Sequence, residues 1–359
     1  MPSIEGGGVE KNLFIVTNYL ALMLKRVTLI TISKKFKKKF NKFVKFKTLD
    51  SNFWDLRSRR FKYFLAILIL VREILKDKKV IVFAFQANIY AIIICKLFNV
   101  KIIVRSNSAP IGWSKNIFKQ KIFKFFLKRA DQVMVNSSDF KKSLYKRFNV
   151  KAECIFNPLN KREIIVKSKK RSPRFFKSKN KLKILNIGRF TDQKDQLTLL
   201  KSLNKIKNLI NYEAIIVGRG VLKENLINYI KNHKLEKFVK IQNFLENPYP
   251  IIKQCDLFVL TSKFEGLPNV LLETAVLKKF IISSNCETGP KEILLNGKSG
   301  LLFKVGDYKS LTKKIVFFNK NKTRLKKMVN LNYSKLDRYD LKTNLKKYLN
   351  FVNKDLKIY

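Results

Sequence analysis

Two glutamates, Glu265 and Glu273, stand with seven residues between them in the run Glu265-Gly266-Leu267-Pro268-Asn269-Val270-Leu271-Leu272-Glu273. An apolar stretch, 256–262, precedes them and reads as a buried parallel strand, and a helix opens near Asn269 after the Gly-Leu-Pro turn. That order places one carboxylate at the C-terminal edge of a strand and the other in the first turn of a helix. Free backbone N–H groups and the positive end of the helix dipole lie between them. Open α/β sheets bind ligands at such an edge, and phosphate groups settle at such helix ends. Carboxylates there are suited to accepting hydrogen bonds from the vicinal hydroxyls of a sugar and of a ribose. The plainer alternative is an ordinary turn with a solvated Glu. Strand, Phe-Glu-Gly-Leu-Pro-Asn and helix in succession are far more specific than an acidic pair.

A second set lies upstream. Gly188, Arg189 and Lys194, in Gly-Arg-Phe-Thr-Asp-Gln-Lys-Asp, close the strand 183–187 and precede a helix. A cation pair in that register can hold a leaving diphosphate and stabilise the charge that develops on it. Among 77 Lys and Arg residues a lone pair means little, and it is the register that singles this one out. A third set, Gly6-Gly7-Gly8, opens the first helix ahead of Val9-Glu10-Lys11. Consecutive glycines let the backbone approach a phosphate or sugar and present N–H groups to it. Only residues 1–4 precede them, so the first strand is missing or vestigial, and a start lying further upstream is the expectation.

The elements that must position these residues alternate. In residues 1–160, strands at 27–33, 80–85, 101–105 and 132–136 are interleaved with helices at 12–25, 59–76, 87–97, 114–129 and 139–148. Residues 161–181, dense in Lys, Arg and Ser, read as a linker. A second alternating block fills 182–330, and a basic helical tail, 331–359, follows. Alternation of this kind implies parallel, doubly wound α/β sheets. At 359 residues the chain has room for two such domains, each with its own core.

The glutamate spacing and its setting resemble the retaining glycosyltransferases of group 1 (family 4). The resemblance spans nearly the whole chain and implies the GT-B fold, two Rossmann-like domains facing each other across a cleft. It implies that the tail crosses back to the first domain. It further implies that Glu265 contacts the transferred sugar and Glu273 the nucleotide ribose, with Arg189 and Lys194 neutralising the departing diphosphate in place of a metal. Gly7 and Gly8 match the family's glycine loop, and Gly188, Gly266, Leu267, Pro268, Asn269 and Val270 fall in the donor-binding segments. The stretch 287–292 matches segments lining the donor pocket, and its wording is closest to members using UDP-linked hexoses or N-acetylhexosamines. Gly218-Arg219-Gly220 is a lone Gly-x-Gly, first of all a tight exit from a strand. Where many relatives carry a cleft histidine, this chain has Arg105-Ser106-Asn107, so Asn107 or a neighbour is expected to orient the acceptor.

Composition narrows the chemistry. One histidine, His233, leaves no room for His-based metal sites or Ser/His/Asp triads. Four dispersed cysteines form no Cys-x-x-Cys pair and fit a reducing compartment. No Asp-x-Asp motif is present, so neither metal nor cofactor is expected beyond the nucleotide-sugar itself. The net charge of +52 suits anionic partners, although abundant Lys, Asn, Ile and Phe also fit drift toward A/T-rich codons. No apolar stretch is long enough to span a bilayer and no signal peptide is evident, so a cytoplasmic protein on the inner membrane face is expected. Two basic amphipathic stretches could touch lipid: 115–129, with Lys121, Lys124 and Lys128 against Phe118, Ile122, Phe125 and Phe126, and 34–47, with Phe36, Phe40, Phe43 and Val44. The expected acceptor is a glycan on a polyprenyl diphosphate, in surface-polysaccharide or lipopolysaccharide assembly. Two other classes compete: a basic nucleic-acid-binding protein, for which no stacking platform or recognition helix is found, and a catalytically degenerate assembly partner.

Overall fold

The computed structural model describes residues 1–4, 7–32, 36–49, 53–54, 58–107 and 116–354. Gly6, Ser33, Lys34, Ser114, Lys115 and residues 355–359 lie outside that set. The chain divides into two units, residues 1–158 with 341–359, and residues 159–340.

The first unit runs α1 (Gly8–Leu24), β1 (Val27–Ile30), β2 (Val44–Lys47), α2 (Arg59–Lys76), β3 (Ile81–Ala84), α3 (Asn88–Leu97), β4 (Lys101–Ser106), α4 (Ile117–Leu127), β5 (Gln132–Val135), α5 (Ser138–Phe148) and β6 (Glu153–Cys154). Strands β3 to β6 pair in sequence order, β1 pairs with β2, and all the pairings are parallel. Helical crossovers allow parallel pairing and cover both faces, which is why a central strand can be apolar throughout. Ile102, Ile103 and Val104 of β4 are accordingly all buried. One face packs Cys95 of α3, Leu127 of α4 and Phe140 and Leu144 of α5. The other packs Leu13, Val16 and Leu20 of α1.

The second unit comprises α6 (Lys161–Ser168), β7 (Leu182–Ile187), α7 (Gln196–Ile206), β8 (Tyr212–Gly218), α8 (Lys223–Asn232), β9 (Val239–Asn243), α9 (Tyr249–Gln254), β10 (Leu257–Leu260), α10 (Asn269–Val276), β11 (Phe280–Ser284), α11 (Pro290–Ile293), β12 (Leu301–Phe303), α12 (Tyr308–Lys320) and α13 (Lys322–Ser334). Its six strands are parallel in the order β12-β11-β10-β7-β8-β9. The order reverses between β10 and β7, which makes the crevice beyond their C-terminal ends the topological switch point. All four residues of β10 are buried, each worth about 1.5–3 kcal/mol on removal from water. The chain then returns to the first unit as α14 (Leu341–Asn353), which packs on α1 through Leu345, Tyr348, Phe351 and Val352.

Several sequence expectations need correction. Residues 161–168, read as linker, form α6, capped by the Asn160 side chain on the Glu163 N–H (3.0 Å) and packed against α9 and α10. The block boundary at 330 falls inside α13. The stretch 34–47 does not present a phenylalanine face to lipid. Phe14 of α1 meets the rings of Phe36 at 5.8 Å and Phe40 at 5.1 Å, Phe40 meets Phe46 at 5.0 Å, and Val44 is buried, leaving Phe43 exposed. Residues 1–4, where a missing or vestigial first strand is expected, form no strand but run beside β1: Ile32 N–H donates to the Pro2 carbonyl (3.0 Å) and Ile4 enters the core.

Candidate functional site

Strands β7 and β10 end on either side of the switch point, and the loops that leave them carry the predicted residues. After β7 the backbone passes through Gly188 and Arg189 into a short 3-10 turn, Asp192–Lys194. Asp195 follows in the left-handed region (φ 45°) and caps α7, accepting from the Thr198 hydroxyl at 2.7 Å. Burial raises the pKa of Asp195, an effect that the Thr198 hydrogen bonds only partly offset.

The loop after β8 holds this segment from below. A Cβ on Gly218 would lie 2.0 Å from the Gly188 carbonyl oxygen, and one on Gly220, at φ +149°, 2.4 Å from that of Phe190. Only glycine permits the two loops to approach so closely. The Gly-x-Gly pair therefore shapes the loop that bears Arg189.

The loop after β10 is tied to the same segment. The Thr261 hydroxyl donates to the Lys194 carbonyl (2.8 Å), and Lys263 N–H donates to the Gln193 carbonyl (2.8 Å). The Gln193 amide donates to the Phe264 carbonyl (2.9 Å). Between these ties the ammonium of Lys194 is ion-paired with the carboxylate of Glu265. Both side chains are largely withdrawn from water, at 15% and 8% exposure, so the pair is far less screened than one on the surface. Arg189, by contrast, is exposed, and its guanidinium donates to the Gln193 side-chain oxygen at 3.3 Å.

The loop after β11 braces the glutamate from the far side. The Thr288 hydroxyl donates to the Glu265 carbonyl (2.5 Å), and a Cβ on Gly289, at φ +89°, would lie 2.2 Å from the Gly266 carbonyl oxygen. Burial first, and the nearby Glu265 charge second, push the Cys286 thiol up to about 12, leaving it no nucleophile at neutral pH. Gly266, Leu267 and Pro268 are buried, and Asn269 and Val270, half-buried, open α10.

Glu273 requires a correction. It is the fifth residue of α10 and so lies in the second turn, away from the strongest part of the helix dipole. It is nonetheless buried, 7% exposed, and the Tyr249 hydroxyl donates to its Oε1 at 3.5 Å. With Glu265 at 6%, neither glutamate is the solvated residue of an ordinary turn.

Two residues escaped sequence reasoning, Gln193 and Tyr249. Both are neutral and match no charge pattern; only their contacts reveal them. Gly7 and Gly8 belong to the first unit, where Gly7 precedes α1 without a side-chain cap. A Cβ on Gly7 would lie 2.9 Å from Glu10 Oε2, so the carboxylate of Glu10 already occupies space beside the start of this helix. Asn107 is committed internally. Its carbonyl oxygen accepts from Arg105 and its amide donates to the Phe85 carbonyl (2.8 Å). Arg105 is wholly buried and also donates to Asn157 (2.6 Å) and to the Tyr348 hydroxyl of α14 (3.0 Å).

Among the described residues no group of three His, Cys, Asp or Glu side chains could hold a metal ion. A cavity of about 500 Å³ lined by Arg174, Lys183, Lys253, Asp256 and Lys279 lies at the opposite, N-terminal edge of β7, β10 and β11. It takes no part in the switch-point site.

Residues 167–335 match the family described as glycosyl transferases group 1. An uncharacterized glycosyltransferase of Methanocaldococcus jannaschii is 31% identical over 245 residues, 64% of this chain and 60% of that protein. A Campylobacter jejuni N-acetylgalactosamine-N,N'-diacetylbacillosaminyl-diphospho-undecaprenol 4-alpha-N-acetylgalactosaminyltransferase is 27% identical over 232 residues, 62% of each chain. The matches thus span about three fifths of these relatives' length. Anabaena HepE, solved in complex with UDP, superimposes with a TM-score of 0.77 at 15% identity over 98% of both chains. A Rickettsia africae glycosyltransferase does so at 0.76 and 20% identity over 100% of this chain and 98% of that one. The fold is that of the GT-B glycosyltransferases, with two Rossmann-like domains. The chain is thus similar to the glycosyl transferases group 1 family, the family match lying within its second unit.

Proposed function

We propose that this protein is a retaining glycosyltransferase. It moves a hexose or N-acetylhexosamine from a nucleotide-diphosphate sugar, with UDP as the nucleotide, to a glycan acceptor carried on a polyprenyl diphosphate. The setting is surface-polysaccharide or lipopolysaccharide assembly. One observation carries the reading: the Lys194–Glu265 pair, with Arg189 on the same loop, sits where β7 and β10 diverge. That crevice of an open α/β sheet takes nucleotide ligands.

In this reading Arg189 and Lys194 meet the diphosphate and stabilise the charge that grows on it as the glycosidic C–O bond breaks. Glu265 accepts hydrogen bonds from the transferred sugar, and Glu273, steadied by Tyr249, accepts them from the ribose. The backbone of Gly188 and of Gly266, Leu267, Pro268, Asn269 and Val270 lines the donor. The acceptor oxygen bonds to the anomeric carbon on the face the diphosphate leaves, and its proton passes to the departing phosphate oxygen. The two cations do the work a metal ion would otherwise do. The named C. jejuni transferase, which acts on a diphospho-undecaprenol-linked sugar, and the UDP complexes of HepE support the donor and acceptor classes.

The acceptor class calls for a membrane face, and no helix of the described residues is long and apolar enough to cross a bilayer. Helix α4 supplies a surface contact. Phe118 is 73% and Phe125 50% exposed, beside exposed Lys121, Lys124 and Lys128. Exposed aromatics with lysines are what an anionic bilayer holds. The protein therefore works from the cytoplasm, on the inner membrane face.

A thermal-shift panel of UDP- and GDP-sugars tests the reading, since a ligand that binds the native state raises the melting temperature. UDP-sugars are expected to stabilise the protein. A panel in which no nucleotide-sugar does so would overturn it.

A further inference from the structure

Gln193 lies in the middle of the turn between Arg189 and Lys194, and three hydrogen bonds use it from two directions. Its side-chain oxygen accepts from Arg189 Nη2 at 3.3 Å, and its side-chain nitrogen donates to the Phe264 carbonyl at 2.9 Å. Its backbone carbonyl accepts from Lys263 N–H at 2.8 Å. These partners fix the orientation of the amide. Turning it over would set its NH₂ against a guanidinium and its oxygen against a carbonyl.

Phe264 is the residue before Glu265, and Lys194 is the residue after Gln193. The amide thus connects Arg189 to the loop that carries the glutamate, alongside the Lys194–Glu265 pair. We infer that Gln193 is a positioning residue of the proposed donor site, holding the Arg189 guanidinium at the switch point where a nucleoside diphosphate would meet it. The inference rests on the donor-site reading above. An exposed arginine samples many rotamers and loses that freedom when it engages a ligand. Tethering it beforehand removes part of that loss and keeps its charge in place as the bond to the sugar breaks. Glutamine suits the task because it is long enough to span both partners and has one acceptor and one donor end. Methionine has the length and neither group; glutamate has the acceptor without the donor.

The test is a double-mutant cycle on UDP release from UDP-N-acetylglucosamine, UDP-N-acetylgalactosamine and UDP-glucose, following whichever the unaltered protein turns over fastest. Gln193→Met is expected to lower kcat about tenfold with little change in KM or melting temperature, the size of a lost hydrogen bond to a charged group. In an Arg189→Ala background it is expected to have no further effect, because the group it positions is gone. The same drop in both backgrounds would mean that Gln193 acts only on loop structure, and normal kcat in Gln193→Met would mean that it does not act at all. Either result overturns the inference. Should Gln193→Met fail to fold, Gln193→Glu answers the same question. It keeps the acceptor for Arg189 but sets an oxygen against the Phe264 carbonyl, so it too is expected to lower kcat in the unaltered background only, and an equal drop in the Arg189→Ala background would overturn the inference. If Arg189→Ala alone leaves turnover intact, the donor-site reading falls and the role of Gln193 falls with it.

Discussion

The ammonium of Lys194, on the loop after β7, is bonded to the carboxylate of Glu265, on the loop after β10, across 71 residues of sequence. In the proposed reaction both groups have other partners, a diphosphate for the lysine and a sugar hydroxyl for the glutamate. The pair holds each buried charge in place until the donor arrives, at the expense of competing with it.

That competition separates the two glutamates. Glu265→Ala is expected to leave Lys194 free for phosphate, so calorimetry with UDP alone should show affinity kept or increased, while binding of the sugar-bearing donor weakens. Glu273→Ala removes the proposed ribose contact and should weaken both. Equal loss of UDP affinity in the two variants would contradict the division of roles. Glu265→Ala should also melt earlier, because a largely buried cation loses its counter-charge.

Arg189→Ala and Lys194→Ala are each expected to lower turnover by on the order of 100-fold or more, the scale of a lost transition-state charge contact. EDTA should leave the rate of the unaltered protein unchanged. Steady-state assays with and without chelator check both statements, and strict dependence on added Mg²⁺ or Mn²⁺ would contradict the second.

The core of this site could be read from sequence because its signals are local. A continuous apolar strand, a glycine-proline turn and a helix start place Glu265, and the same logic places Arg189 and Lys194. What joins them is not local. Gln193 and Tyr249 act through contacts across 71 and 24 residues, respectively, and their types carry no spacing signal. Helix α6 was missed for another reason: its buried residues are few, chiefly Ile164 and Ser168, so its lysines and arginine dominate the composition. Phe36 and Phe40 suggested a lipid face because nothing in their own segment shows that Phe14 covers them.

Asp195 gives a pH-dependent prediction. Burial raises its folded-state pKa, so the folded protein holds this proton more tightly than the unfolded chain does. The resulting penalty is absent below the unfolded pKa of about 3.9, grows as pH rises toward the folded value, and is full above it. Asparagine caps helices as well as aspartate and tolerates the left-handed backbone. Asp195→Asn is therefore expected to raise the melting temperature at pH 7, with the gain vanishing in acid. A gain independent of pH would exclude the charge as its cause.

Lys121, Lys124 and Lys128 to Glu, together, should release the protein from anionic liposomes, since each basic residue near such a surface contributes about 1 kcal/mol. Donor hydrolysis should survive. A triple variant that still sediments with vesicles at physiological salt would remove α4 as the membrane face.

Tyr348→Phe should destabilise the protein by about 1–3 kcal/mol, because a buried guanidinium N–H of Arg105 loses its acceptor. Denaturant melts will show it. A neutral result would mean that the arginine finds another partner.

The return of α14 to the first unit also sets an order of assembly. A ribosome delivers residues 159–340 complete while the first unit still lacks Leu345, Tyr348, Phe351 and Val352 from its core, and Arg105 still lacks its tyrosine. The domain whose synthesis begins first is therefore the last to have all its parts, and until release its unfinished apolar face is open to chaperones and proteases alike.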